Sequence, residues 1–556
     1  MSETNQPAPP ARKIRDAIVV GTGVGGLYQL YKLREQGFDV LGIEAAETVG
    51  GVWHWNRYPG ARLDSEAYTY GYAFSKVLLD EWSWSEHFVT QPELQRYFNF
   101  VADRLDLRKD ISFNTRIASA RFNEASTTWT VTATDGREFH ARFLCLAVGP
   151  LSEPVFPNIP GRESFEGESY HTSRWPTTPV DLEGKRVAVM GTGATGVQVI
   201  QEVSKYAKEL VVLQRRPHWC SPLNNSPLSE SDMEEIRKNY PEIIARCRQT
   251  SGWFLHDAPP VDIIGVDEET RNETLGKAYW HGRGMNFRYG TYRDIGSNPE
   301  ANAIISNFVA DRIRERVEDP ETAERLIPKD YGYGTRRVPL ETKYYETFNK
   351  PNVKLVSLLE TPIERVTPKG IRTTEREYEF DAIIYATGFD AVTGSYDRID
   401  IRGEGGRALK DKWNDGPITY IGIQVHGFPN MFMVGGPLAS IGNFPPALEY
   451  SSNLITELLC HARDTGSDRV EATAEAESEW TDLVRGMAEK LLSAKVESWI
   501  TGVNSNVEGK DKPRVMIFIG SAGDYRKKWQ EIQADGYAGF EFLSTQAGRS
   551  ELAGGA

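Results

Sequence analysis

One short pattern occurs twice in this chain and constrains its fold more than any other feature. An apolar run over residues 16–20 leads into Gly21-Thr-Gly23-Val-Gly25-Gly26. A helix is expected from 25 to 36, with Leu27, Leu30 and Tyr31 on one face and Gly37 as its stop. A second strand follows over 40–44. The same grammar returns over 186–190, with Gly191-Thr-Gly193-Ala-Thr195-Gly196, a helix over 195–206 and a strand over 210–213. Strand, glycine turn, helix and parallel strand form the βαβ unit of a doubly wound sheet. The chain is therefore expected to be α/β, with two Rossmann-like dinucleotide-binding domains.

In each turn the first glycine permits the bend, the second admits a pyrophosphate, and the third lets helix and strand pack closely. The phosphate then meets free N–H groups at the helix N-terminus. Glu44 ends the second strand of the first unit, where a carboxylate can accept bonds from ribose hydroxyls. Arg215 and Arg216 stand at the matching strand end of the second unit. A guanidinium suits a 2′-phosphate, because its planar fork binds phosphate oxygens in pairs. The first unit is thus read as the flavin site (FAD) and the second as the NADPH site. No CxxxxC redox pair is present, so oxygen is the natural acceptor of the flavin's electrons.

Between and after these units, residues 129–134 and 138–148 read as hairpin strands leading into a buried strand. Residues 221–330 are polar and charged, with helical stretches over 233–247 and 303–317, and read as a helical insertion. Strand signals resume over 352–357 and 378–385. Helices are expected over 447–463 and 473–494, the second capped by Thr473.

Composition removes several other functions. Asp and Glu number 78 against 64 Lys and Arg, a formal charge of −14, which argues against a general nucleic-acid binder. The four cysteines, Cys145, Cys220, Cys247 and Cys460, are far apart and form no CxxC, as expected of a reducing compartment. No metal-ligand motif is written. No apolar run reaches the roughly 18 residues of a membrane span. The polar, Pro-rich residues 1–13 are expected to be a disordered leader on a cytoplasmic protein.

The stretch Phe165-Glu-Gly167-Glu-Ser-Tyr-His171-Thr-Ser-Arg-Trp175-Pro176 precedes the second glycine turn. It matches FxGxxxHxxxW[PD], and from about 14 to 543 the chain resembles the flavin-dependent Baeyer–Villiger monooxygenases, a group that includes the cyclohexanone and phenylacetone monooxygenases. The resemblance implies NADPH- and O2-dependent oxidation of ketones to esters or lactones through a C4a-peroxyflavin, with sulfoxidation as a side activity. It implies that Gly51, Trp53, Arg57, Tyr58 and Asp64 contact the flavin side of the pocket. It makes Arg337 and Asp64 the catalytic pair, with Arg336 beside them on NADPH. Trp499 falls in a segment similar to the family's mobile control loop, here 497–512. Leu438, Ala439, Ser440 and Trp499 are expected to line the ketone site. His171 is expected to hold the linker and Trp175 to anchor packing.

The control loop departs from the family's NxPGK: it reads Asn504-Ser-Asn506-Val-Glu508-Gly509-Lys510, two residues longer, with Glu508 in place of proline. Arginine replaces lysine at 336, and Arg216 stands where threonine is common. The expected organisation is FAD-binding over 14–150 and 381–545, NADP-binding over 151–220 and 331–380, the insertion between, and a flexible tail over 546–556. Rival readings are a heteroatom monooxygenase acting on amines or sulfides, an NADPH oxidase, and a non-catalytic dinucleotide sensor. The partners expected are a small ketone and O2, without nucleic acid or membrane; nothing in the sequence sets the oligomeric state, and a monomer is compatible with it.

Overall fold

The computed structural model describes residues 13–544. Residues 1–12 of the expected leader and the whole expected tail lie outside the described residues. The two glycine-turn units build two separate parallel sheets. In the first, Ile14–Val20 lies between Val40–Ile43 and Glu138–Leu146, parallel to both. Glu138–Leu146 also takes Met431–Met433 as a parallel neighbour. Thr128–Ala133 and Ile117–Asn123 extend the sheet antiparallel from that side. These central strands read as nearly continuous apolar runs because helices and loops cover both faces.

The second sheet has Arg186–Met190 between Glu209–Gln214 and Ala382–Tyr385, with Val353–Ser357 and Glu168–His171 at its edges, all parallel. Two sequence expectations change here. The run 378–385 is not one strand. Glu377–Glu379 belongs to a small antiparallel sheet, and Ala382–Tyr385 joins the second large sheet. Asp381 makes the break: its carboxylate accepts from the Arg186 backbone N–H at 2.8 Å and from the Arg186 guanidinium at 2.9 Å. The boundary drawn at 381 therefore falls inside the second unit, and the chain rejoins the first sheet only after residue 385, by way of Asp400–Arg402 and Met431–Met433.

Helix starts follow capping chemistry. The helix Pro299–Arg316 begins four residues before the expected 303, because Asn298 accepts from the N–H groups of Glu300 and Ala301 and Pro299 occupies the first turn. Thr473 does cap its helix, accepting from Ala476 N–H at 3.1 Å. That helix ends at Ala488, short of 494, and the chain passes into a separate turn at Leu492–Lys495.

The insertion joins the two units. Its Leu223, Met233, Trp253, Phe254 and Met285 pack into the core of the first, while Leu275, Tyr279, Phe287 and Ile305 pack into the core of the second. Among the described residues, no helix is long and apolar enough to cross a membrane.

Candidate active site

The first glycine turn is closed by its own backbone. A Cβ on Gly26 would stand 1.9 Å from the Gly21 carbonyl oxygen, so helix and strand can meet only without a side chain. Glu44 is buried and pins this turn: one carboxylate oxygen accepts from Thr22 N–H at 2.7 Å and from the Thr22 hydroxyl at 3.0 Å, and the other accepts from Ala46 N–H at 2.9 Å. A carboxylate has about four acceptor positions, so one remains for a ribose hydroxyl.

The segment expected on the flavin runs between the two units. Gly51 lies against Gly23. Trp53 donates from Nε1 to the Tyr70 hydroxyl at 2.9 Å, and Arg57 donates to the His54 carbonyl. The Tyr58 hydroxyl donates to Gln198 at 2.8 Å, on the helix that follows the second glycine turn, and meets Thr195 on the same helix. Burial pushes the Tyr58 phenol far above its ordinary range.

The second glycine turn repeats the closed geometry, with a Gly196 Cβ only 2.1 Å from the Gly191 carbonyl oxygen. Gly193 differs: a Cβ there would meet nothing within 4 Å. That opening beside a helix N-terminus is the cradle that a pyrophosphate needs. The Thr192 hydroxyl donates to the Arg216 carbonyl at 3.0 Å and ties the turn to the arginine pair. Arg215 reaches Ser505 at 3.1 Å, Arg216 reaches Glu497 at 3.1 Å, and the Arg336 guanidinium lies 4.3 Å over the Tyr331 ring. Burial, then Arg216 and Arg336, lower the Arg215 pKa. Burial, with Arg336 and Arg215, lowers His218 to about 4. The Arg336 Nε–H is buried without a partner. Crowded cations and an orphaned donor fit an anionic ligand.

Arg337 and Asp64 form a direct ion pair across 273 positions, each half-buried. The other arm of Arg337 reaches the Val338 carbonyl at 3.2 Å and the Met285 sulfur at 3.5 Å. Close by in sequence, buried Glu66 meets His256 at 2.7 Å. The insertion thus supplies Met285 to Arg337 and His256 to the stretch that carries Asp64.

Leu438, Ala439 and Ser440 are buried, and Ser440 accepts from Trp253 Nε1 at 2.9 Å. Trp253 and Leu438 hold positive φ angles of 64° and 62°, which cost about 1 kcal/mol or more each for such residues. Leu438 N–H donates to Met516, and Phe518 N–H donates to Ala439, so the chain just past the control loop holds this wall. Trp499 is half-buried on a short turn, Trp499–Thr501.

In the fingerprint, His171 is buried and neutral: burial lowers its pKa to about 4. Its Nδ1 accepts from Ser173 N–H at 3.2 Å, and its Nε2 lies 3.5 Å from the Thr387 hydroxyl. Trp175 packs on Tyr170 with ring centres 5.1 Å apart, and Phe165 packs under the second sheet. Gly167 has no room for a side chain, because the Phe165 ring and the Asp381 carbonyl fill that place; Pro176 follows Trp175 on the way to the second sheet.

Residues 13–226 match the model of the "Flavin-binding monooxygenase-like" family. The chain is 44% identical to the 2-oxo-Δ3-4,5,5-trimethylcyclopentenylacetyl-CoA monooxygenase of Pseudomonas putida, covering 95% of this chain and 98% of that one. It is 41% identical to cyclohexanone 1,2-monooxygenase of an Acinetobacter species, over 97% and 98% of the two chains. It is 42% identical to phenazine N-monooxygenase PhzNO1 of Lysobacter antibioticus, over 94% and 96%. A crystal structure of OTEMO in complex with FAD and NADP superposes with a TM-score of 0.92 at 44% identity, covering 96% of this chain and all of that one. This chain is a Baeyer–Villiger monooxygenase of the flavin-binding monooxygenase-like family.

For this monooxygenase, three side chains at the site escaped sequence reasoning: Trp253, His256 and Met285. All lie in the polar insertion, whose sequence carries no motif. The one usable signal was Gly252-Trp253-Phe254, an apolar break in a charged stretch. An open cleft of about 1100 Å³ lies away from Arg337, between residues 156–164 and 505–511, where the control loop faces the linker.

Proposed function

We propose that this monooxygenase oxidises ketones to esters or lactones using NADPH and O2, with FAD on the first glycine turn and NADP on the second. The observation that carries this reading is the Arg337–Asp64 pair, held where the two dinucleotide units and the insertion meet. When bound, FAD reduced by NADPH supplies the activated oxygen. The Arg337 guanidinium stabilises negative charge on oxygen at the reacting centre. Asp64 and Met285 fix the direction of its guanidinium. Leu438, Ala439 and Ser440, backed by Trp253, form an apolar wall that keeps water from the ketone. Arg215, Arg216 and Arg336 hold the 2′-phosphate, and the opening at Gly193 takes the pyrophosphate. His171 acts as a neutral tie between the linker and the second sheet. Trp499 closes the site as the control loop moves. The four unpaired cysteines support a cytoplasmic setting.

The test is turnover of NADPH with heavy-isotope O2 and a panel of cyclic, linear and aryl ketones plus one sulfide. An ester or lactone carrying one heavy oxygen is expected. The N-oxidising relative favours a second reading, heteroatom oxidation, which a labelled sulfoxide without any ester would select. Peroxide as the sole product would select an oxidase.

A further inference from the structure

Two of the three arginines expected on the 2′-phosphate are hydrogen-bonded by the chain itself, and both of those bonds come from one segment; Asp330 adds only a longer contact to Arg216, at 3.8 Å. Glu497 bonds Arg216 at 3.1 Å, and Ser505 bonds Arg215 at 3.1 Å. Neither Glu497 nor Ser505 belongs to the glycine-turn unit; both lie in the segment that carries Trp499. We propose that Glu497 is a cofactor-specificity residue: it stands in for the 2′-phosphate on Arg216 and is displaced by it, so that the Trp499 segment senses whether the bound dinucleotide is phosphorylated. This rests on the NADP assignment made above.

The tethers of the loop show which end yields. Its far end is fixed by Lys510, which is buried and reaches Asp390 at 2.5 Å, Thr393 at 2.9 Å and Asp397 at 2.9 Å. Asn504 adds a bond to the Phe389 carbonyl at 3.2 Å. The Glu497–Arg216 pair, in contrast, is open to water, with side chains 58% and 36% exposed. A buried charge stripped of its partner is costly, whereas an exposed pair exchanges readily. A phosphate dianion also offers more charge and more acceptor oxygens than one carboxylate. Arriving phosphate therefore takes Arg216 from Glu497 and leaves the Lys510 anchor in place. The glutamate also acts as a filter: a dinucleotide without the phosphate has nothing to exchange for it.

Calorimetric titration of the FAD-loaded protein with NADP+ and NAD+ tests this, because the two differ only in the 2′-phosphate. Glu497→Gln keeps size and removes the competing charge that is hydrogen-bonded to Arg216, leaving the longer Asp330 contact in place. It is expected to tighten NADP+ about threefold, the scale of one exposed ion pair, and to leave NAD+ unchanged. Glu508→Gln, which removes a loop carboxylate with no bond to the arginines, is expected to change neither. Unchanged or weakened NADP+ binding in Glu497→Gln would overturn the proposal, and so would equal tightening in Glu508→Gln or an equal shift for NAD+. A wild-type protein that binds NADP+ no better than NAD+ would instead overturn the NADP assignment itself.

Discussion

Arg337 donates a hydrogen bond to Asp64 from a position 273 residues away, with the Met285 sulfur against its other arm. The pair joins the segment after the first glycine-turn unit's second strand to the chain leaving the insertion. Arg337→Ala is expected to keep FAD, read from the flavin absorbance, and to lose oxygenation by about a hundredfold or more, the scale of one preorganised charge-stabilising donor. Asp64→Ala leaves the cation but frees it to turn. Its expected loss is smaller, about tenfold, with more peroxide released per NADPH consumed. Full oxygenation by Arg337→Ala would remove Arg337 from the mechanism.

Gly193 and Gly196 separate ligand binding from folding. A Cβ at 193 enters open space, so Gly193→Ala is expected to melt within a degree or two of wild type yet bind NADP+ at least tenfold more weakly. A Cβ at 196 would sit 2.1 Å from a backbone oxygen, so Gly196→Ala is expected to lower the melting temperature outright. Calorimetry and NADP+ titration on the two variants measure both effects.

Glu449 lies buried on the helix Phe444–Asp464, where its carboxylate accepts from Ala73 N–H at 2.7 Å. Burial raises its pKa to about 7, and the Ala73 N–H and Arg248 lower it only in part. The fold therefore prefers the protonated acid. Stability present below about pH 4.5 is lost as pH rises through about 7, by roughly 3 kcal/mol in all. Glu449→Gln is neutral at every pH and keeps an acceptor for Ala73. Its melting temperature is expected to gain on wild type between pH 5 and pH 8; a gap that does not grow with pH would remove Glu449 as the cause.

His171 is neutral throughout the working range, its pKa lowered to about 4 by burial. Asn offers an acceptor near the place of Nδ1, so His171→Asn is expected to keep the bond from Ser173 and the shape of the turnover profile from pH 6 to 9. His171→Ala is expected to lose stability without shifting that profile. A moved acid limb in either variant would show that His171 carries a proton.

The sequence by itself determined what is local. Gly21 to Gly26, Glu44 and Gly191 to Gly196 lie within single turns and adjacent strands, so their spacing carries the two dinucleotide folds. The fingerprint from Phe165 to Pro176 is also contiguous. The caps at Thr473 and at Asn298-Pro299 are both local and so are written in the order of residues. Tertiary structure decided the rest. Ala382–Tyr385 joins the second sheet because Asp381 is held by Arg186, 195 positions away. Trp253 reaches Ser440 and Glu66 reaches His256 across 187 and 190 positions. Glycine turns depend on near-neighbour sterics, which are written in the order of residues. Ion pairs and apolar walls depend on which distant surfaces meet, and that is settled only when burial of the cores brings the two units and the insertion together.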